Sequence, residues 1–107
     1  MTVAIKSLAD GQLAATKGTI YTAPTAKQAI VKRITLVNTD SSARAVNLYF
    51  KASGGTSRRI IPKDLEIEAN GLAVMDDEQT LEAADIIEGD ANAGSTVDFT
   101  LNGVENS

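Results

Sequence analysis

The sequence predicts an all-β domain, a single β-sandwich or jelly-roll-like fold of about eight short antiparallel strands. Three observations carry that expectation. Short apolar runs alternate with polar residues at a period of two, the pattern of a half-buried strand. Turn-forming clusters recur every ~8 to 12 residues. The apolar residues are 9 Ile, 8 Leu and 7 Val against 2 Phe, 2 Tyr and no Trp, a β-branched bias that favours strands. The 16 Ala lie in short runs punctuated by Thr, Gly and Asp, with no helical period. At 107 residues the chain is read as one domain, long enough to bury roughly 65% of its unfolded surface.

Residues 1 to 18 place Val3, Ile5, Leu8 and Leu13 sparsely among small and polar neighbours, which gives an N-terminal arm or an edge strand. TIYTAP, from Thr19, forms a short strand that Pro24 closes, because proline cannot donate to a ladder. TAKQ is the following turn. Ile30 to Phe50 reads as two apolar strands joined by the polar turn NTDSSA, and is expected to be the central hairpin. In its second strand Val46, Leu48 and Phe50 oppose Asn47, Tyr49 and Lys51. In its first, Lys32 interrupts the face formed by Ile30, Ile34 and Leu36, while Val31 and Val37 lie on the other side. A bulge or apolar contact on both faces is therefore expected.

Gly54-Gly55 supplies the positive φ of a tight turn, followed by a strand from Ser57 to Ile61 that Pro62 ends. Leu65, Ile67 and Ala69 then point inward with Glu66 and Glu68 outward. Asn70-Gly71 signals a hairpin whose partner is Leu72 to Met75. Residues 76–84 are the one place for a turn of helix, with Leu81 as a core plug beneath it. Asp85 to Asp90 forms a short buried strand, ANAGS turns, and Val97, Phe99 and Leu101 alternate with Asp98, Thr100 and Asn102 in the last strand. Residues 103–107 are expected to fray. The predicted core is Ile34, Leu36, Leu48, Phe50, Ile67 and Phe99. There is neither an exact internal repeat nor a linker.

Absent residue types bound the chemistry. Without Cys or His there is no disulfide, no thiolate or imidazole metal ligand, no Cys nucleophile and no His general base. The N-terminal segment lacks the apolar run of a secretory signal, and no span of about 18 apolar residues occurs, so the chain is expected to be soluble, with no membrane partner. Charge is segregated along the chain. All 10 Lys and Arg lie before Asp64, opposed there only by Asp10 and Asp40 of the 14 carboxylates. Such a split predicts either pairing of basic with acidic strands inside one subunit or a bipolar molecule meeting its neighbours head to tail.

Lys32, Arg33, Arg58, Arg59 and Lys63 form the basic cluster, and Glu66, Glu68, Asp76, Asp77 and Glu78 its acidic counterpart; these ten are the candidate interface. A negative net charge with few aromatics to stack bases argues against nucleic acid. Asp76, Asp77 and Glu78 with Glu82 read as a solvated face rather than an acid/base pair, which would require a buried carboxyl. Glu88, Asp90 and Asn92 have alternating oxygen ligands but no complete calcium-loop pattern, and read as a solvated loop. Ser53 to Ser57 is Gly-rich yet lacks the Lys and helix of a phosphate loop. No catalytic residue, metal or cofactor is expected.

The segments TIYTAPTAKQAIVKRITLVNTD, ARAVNLYFKASGGTSRRIIPKD and TLEAADIIEGDA resemble small virion proteins of tailed bacteriophages, over about Gly18 to Val104. The chain departs from that pattern at Thr25-Ala26 and Ala84, where those proteins carry glycine. The resemblance implies a non-enzymatic β-sandwich located in the virion, a capsid decoration or head or tail appendage subunit, with itself and other virion proteins such as major capsid or tail proteins as partners. The alternative is a stand-alone carbohydrate-binding β-sandwich, which needs exposed aromatic platforms.

Overall fold

A computed structural model describes residues 3–106. Among the described residues there are ten strands: β1 (Val3–Gln12), β2 (Gly18–Thr22), β3 (Ala29–Asn38), β4 (Arg44–Lys51), β5 (Arg58–Arg59), β6 (Leu65–Ile67), β7 (Leu72–Met75), β8 (Gln79–Leu81), β9 (Ile86–Ala91) and β10 (Val97–Asn106). All pairings are antiparallel. Sheet A runs β1-β10-β3-β7, with β8 also on β3; sheet B runs β2-β9-β4-β5, with β6 also on β4. Because β7 and β8 share one lane and β5 and β6 another, each sheet has four lanes. The chain is thus a long folded ribbon, β1 on β10, β2 on β9, β3 on β8 and β7, β4 on β6 and β5, rolled so that alternate rungs fall in alternate sheets. That is the double-sheet jelly roll.

The inner faces meet in an aliphatic core. Leu13, Val31, Ile34, Val46, Leu48, Leu81, Ile87, Val97 and Leu101 are essentially inaccessible, with Leu36, Ile67 and Phe99 beside them. Of the predicted core residues only Phe50 is merely half-buried, packed against the cluster from near the end of β4. Leu13, from the sparse N-terminal stretch, is core: a Cβ on Gly89 would stand 3.0 Å from its Cδ2, so the glycine makes room for it.

The two strands between Ile30 and Phe50 form, but they are not a hairpin. They belong to different sheets, and the chain from Asn38 to Arg44 crosses between them. Asn38 is the reason. Its fully buried carboxamide nitrogen lies 2.9 to 3.1 Å from the carbonyls of Ser42, Ile67 and Glu68, and its oxygen accepts the Asp40 N–H. One side chain thereby pins this crossover and the second one, at residues 68–71. There, too, the expected hairpin is absent, since β6 pairs with β4 and β7 with β3. Asn70 takes φ +59 and the Gly71 N–H bonds Glu68 O, closing a turn that changes sheets.

The expected bulge is in β3. Arg33 faces Asn102 and Val31 faces Gly103, leaving Lys32 as the extra residue, so Lys32 and Arg33 both point outward. Gly103 is required here, because a Cβ would sit 2.0 Å from Ile30 O. Three further expectations are corrected. Residues 76–84 hold no helix: Gln79–Leu81 pairs with Ala29–Val31, which satisfies the backbone without the cost of nucleating one isolated turn; Leu81 is the buried plug expected. The strand after Gly54-Gly55 is only Arg58–Arg59. Residues 103–106 do not fray, since β10 is held between β1 and β3 to its end; Ser107 lies outside the described residues.

Ala26 and Ala84 adopt φ +63 and +68, conformations that glycine takes without the Cβ penalty.

Candidate interaction surfaces

The rolled ribbon interleaves the basic and acidic parts of the chain. In sheet A strands from before Asp64 alternate with strands from after it. Lys6 meets Glu105 at 2.9 Å and Lys32 meets Glu78 at 3.0 Å, both within the subunit. Of the two arrangements the charge split allowed, the intrachain pairing of basic with acidic strands is therefore present.

The outer face of sheet A is open. Register sets Ile5, Val104, Ile30 and Thr80 in one row near one end. Gln12, Asp98, Val37 and Leu72 form a row near the other, with Asp10, Thr100, Thr35 and Val74 beside it. Ile5 is 92% exposed, Leu72 63%, Val74 48% and Val37 37%. Near Ile5 a shallow groove of about 590 Å³ runs between Lys6 and Ser7 on β1, Asn102 to Val104 on β10, and Lys32 on β3. On this face β3 carries Lys32 and Arg33 beside the groove, while Asp10 of β1 and Asp98 of β10 lie towards the other end, the latter bonded by Gln12 at 3.0 Å.

The outer face of sheet B is closed by its own side chains. The Asn47 amide donates to Asp90 Oδ1 at 2.8 Å and to Asp64 Oδ1 at 3.0 Å, and its oxygen accepts from Arg59 and from the Asp64 backbone. Tyr49 donates to Asp90, and its ring has Lys17 and Arg59 within 4.9 and 5.0 Å of the centroid. Burial first, then the Asp90 charge, pushes the Tyr49 hydroxyl pKa up. Glu88, also buried, accepts from Ser57, to which Lys17 donates.

Between the sheets at one end, Glu105 of β10 is bound on both oxygens, by the Tyr21 hydroxyl of β2 at 2.5 Å and by Lys6 at 2.9 Å. Those two hydrogen bonds, Tyr21 first, hold the Glu105 pKa below the usual carboxylate range; burial, and then the bond to Glu105, push Tyr21 upward. Among the described residues, buried side-chain polar atoms all have partners.

Three solved structures share this architecture. A subunit of Bacillus endospore appendages, described as disulfide-linked pili, aligns over 99% of this chain and 88% of its own with TM-score 0.58 and 15% identity. The capsid structure of Helicobacter pylori bacteriophage KHP30 aligns over 98% and 87% with TM-score 0.55 and 9% identity. Infectious bursal disease virus, Gx strain, aligns over 97% of this chain and 32% of the viral one, with TM-score 0.53 and 14% identity. The likeness is one of fold. This chain spans about a third of the length of the bursal disease virus protein. No protein-family model and no curated sequence matches.

The ten candidate interface residues fall into two groups. Lys32 and Arg33 stand on the outer face of sheet A, with Asp76, Asp77 and Glu78 in the connection at its β7/β8 edge. Arg58, Arg59, Lys63, Glu66 and Glu68 belong to the β5/β6 edge of sheet B. They are not one patch. Arg59 is largely committed to Asn47 and Tyr49 within the subunit. Glu88 and Asp90, expected in a solvated loop, are on β9 and engaged by the sheet B network. Sequence reasoning missed the apolar outer positions of sheet A. Their signal was present in Val37, on the opposite parity to Ile34 and Leu36, and in Leu72 to Met75, which is apolar on both parities, but the outer face could not be assigned without the bulge and the crossovers.

Proposed function

We propose that this protein is a non-enzymatic structural subunit of a bacteriophage virion, a capsid decoration or head or tail appendage protein, that works through protein–protein assembly. The observation that carries the reading is the jelly roll with one sheet face covered by its own side chains and the other left bare, with exposed Ile5, Val37, Leu72 and Val74. Exposed apolar clusters rimmed by charge are features of contact surfaces. The sequence resemblance to tailed-phage virion proteins supports the same role, as does a fold likeness that spans nearly the whole chain and includes a phage capsid structure and a pilus subunit. The mode of linkage differs from that of the pili, since this chain has no Cys to form a disulfide.

The carbohydrate-binding alternative lacks its platform. Tyr21, Tyr49 and Phe99 are buried and Phe50 is half-buried, so no aromatic ring is left exposed. In the proposed role the charged residues Lys32, Arg33, Asp76, Asp77 and Glu78 of sheet A, with Arg58, Lys63, Glu66 and Glu68 of sheet B, fix orientation and encounter rate against neighbouring subunits. Quantitative mass spectrometry of purified virions from a phage encoding this chain is expected to find it in many copies per particle, and purified protein is expected to co-sediment with capsids or tail tubes that lack it. Its absence from such virions overturns the reading.

A further inference from the structure

We infer that the edge of β10 is a strand-binding site read by three contacts, and that it exchanges β1 of its own chain for β1 of a second copy of this protein. The site is specific. Lys6 of β1 reaches the buried Glu105 at 2.9 Å, a carboxylate that Tyr21 of sheet B already holds in place. A register shift between Ser7 and Ala9 leaves Leu8 as an extra residue, and its side chain fills the space over Gly103, where a Cβ would stand 2.9 Å from Leu8 Cδ1. Gly11 lies against the Phe99 ring, and a Cβ there would come to 3.3 Å from Cζ. A strand that fits this edge therefore reads Lys-x-Leu-x-x-Gly. In this sequence that spacing occurs once, at Lys6, Leu8 and Gly11, so complementarity selects the N-terminal strand of this protein, from the same copy or from another.

β1 is also built to open. It is the outermost lane of sheet A and pairs with β10 alone. Residues 4–12 bury no side chain, only Leu8 and Ala9 being half-buried, whereas β3 and β10 bury alternate residues along their length. Leu13 marks where the movable part ends, since it is fully buried and its N–H bonds Val97 O at 2.9 Å. Opening from this pin strips one ladder from β10 over nearly its full length and uncovers Phe99 and Glu105, a bare edge that takes up another strand. The bulge at Leu8 and the charge of Lys6 oppose simple edge-to-edge pairing of two β1 strands, which leaves replacement of β1 rather than addition to it. Own and exchanged strands make the same contacts, so the balance between them follows concentration, and close neighbours in an assembly favour exchange.

The inference rests on the proposed role as an assembling subunit, and cross-linking in solution tests it separately from the presence of the protein in virions. The chain has no Cys, so introduced thiols are unambiguous. Ser7 of β1 faces Asn102 of β10, and Ile5 faces Val104, at a Cα separation of about 4.5 to 5.5 Å that a disulfide spans. Full-length Ser7→Cys mixed with full-length Asn102→Cys is expected to give a disulfide-linked heterodimer under mild oxidation, and Ile5→Cys with Val104→Cys likewise. Each yield is expected to exceed at least about tenfold that of Ser7→Cys mixed with Arg58→Cys, whose thiol lies on sheet B. A synthetic peptide of residues 1–12 carrying Ser7→Cys is expected to link to the full-length Asn102→Cys chain. Lys6→Glu or Leu8→Asp in the peptide is expected to lower that yield at least about tenfold, while Asp10→Asn, on the outer face and clear of the three contacts, leaves it unchanged. Heterodimer yields no greater than the control for both pairs, or a peptide that links equally well after Lys6→Glu and Leu8→Asp, overturn the inference, whether or not the protein is found in virions.

Discussion

Sheets A and B present inner faces of the same kind, fully buried aliphatic residues on alternate positions, yet their outer faces differ. Over sheet B the long passage from β4 to β6 supplies Ser57, Arg59 and Asp64, which bond Glu88, Asn47 and Tyr49 and turn a polar outer face into a second, hydrogen-bonded layer. Over sheet A the corresponding connection, residues 76–78, contributes Glu78 to Lys32, and the aliphatic residues on either side stay bare. The chain around sheet B thus supplies a covering polar layer, and the chain around sheet A does not.

The sameness of the inner faces can be broken first. Ile34→Ala in sheet A and Leu48→Ala in sheet B are each expected to cost about 2 to 5 kcal/mol in urea unfolding, since both side chains are completely buried and both leave a cavity. A loss below ~1 kcal/mol at either site would show that its sheet is not packed as described.

The outer layer of sheet B comes next. Asn47→Ala removes the shared partner of Asp64, Asp90 and Arg59 and is expected to cost about 1 to 3 kcal/mol. An unchanged midpoint would reduce that layer to decoration.

The seam between the sheets is pH-dependent. Tyr21→Phe deletes a hydrogen bond to a carboxylate and is expected to cost about 1.5 to 3 kcal/mol at neutral pH. Because the folded pKa of Glu105 is lowered, the stability it confers is complete above the ordinary unfolded value of ~4.3 and is lost as pH falls through the lower folded value. The gap between wild type and Tyr21→Phe should therefore narrow on acidification. A gap that persists unchanged well below pH ~4 would assign the effect to packing.

The smallest effect sharpens the comparison. Leu72→Thr and Val74→Thr on the open face of sheet A are expected to shift monomer stability by no more than ~0.5 kcal/mol, in contrast to Asn47 on sheet B. A larger loss, measured at concentrations below association, would mean that sheet A is covered within the subunit after all.

Alternation and turn chemistry by themselves determined the β class, the positions of β3, β4, β9 and the start of β10, the plug at Leu81, the bulge between Ile30 and Ile34, and most of the core. Those features are local: parity along a strand and the φ preferences of Gly and Asn are written in adjacent residues. Partner choice is not local. NTDSSA and Asn70-Gly71 read as hairpin turns, yet both change sheets, because the Asn38 carboxamide ties them together through carbonyls 4 and about 30 residues away, which no short window of sequence reveals. The same holds for the charges. Basic and acidic parts separated along the chain become interleaved when the ribbon rolls, and β10 stays paired to Asn106 because strands from elsewhere in the chain flank it on both sides. Only the tertiary structure decided which aliphatic residues remain outside, Ile5, Leu72 and Val74 among them, since a strand's parity is fixed to a face by its bulges and its neighbours.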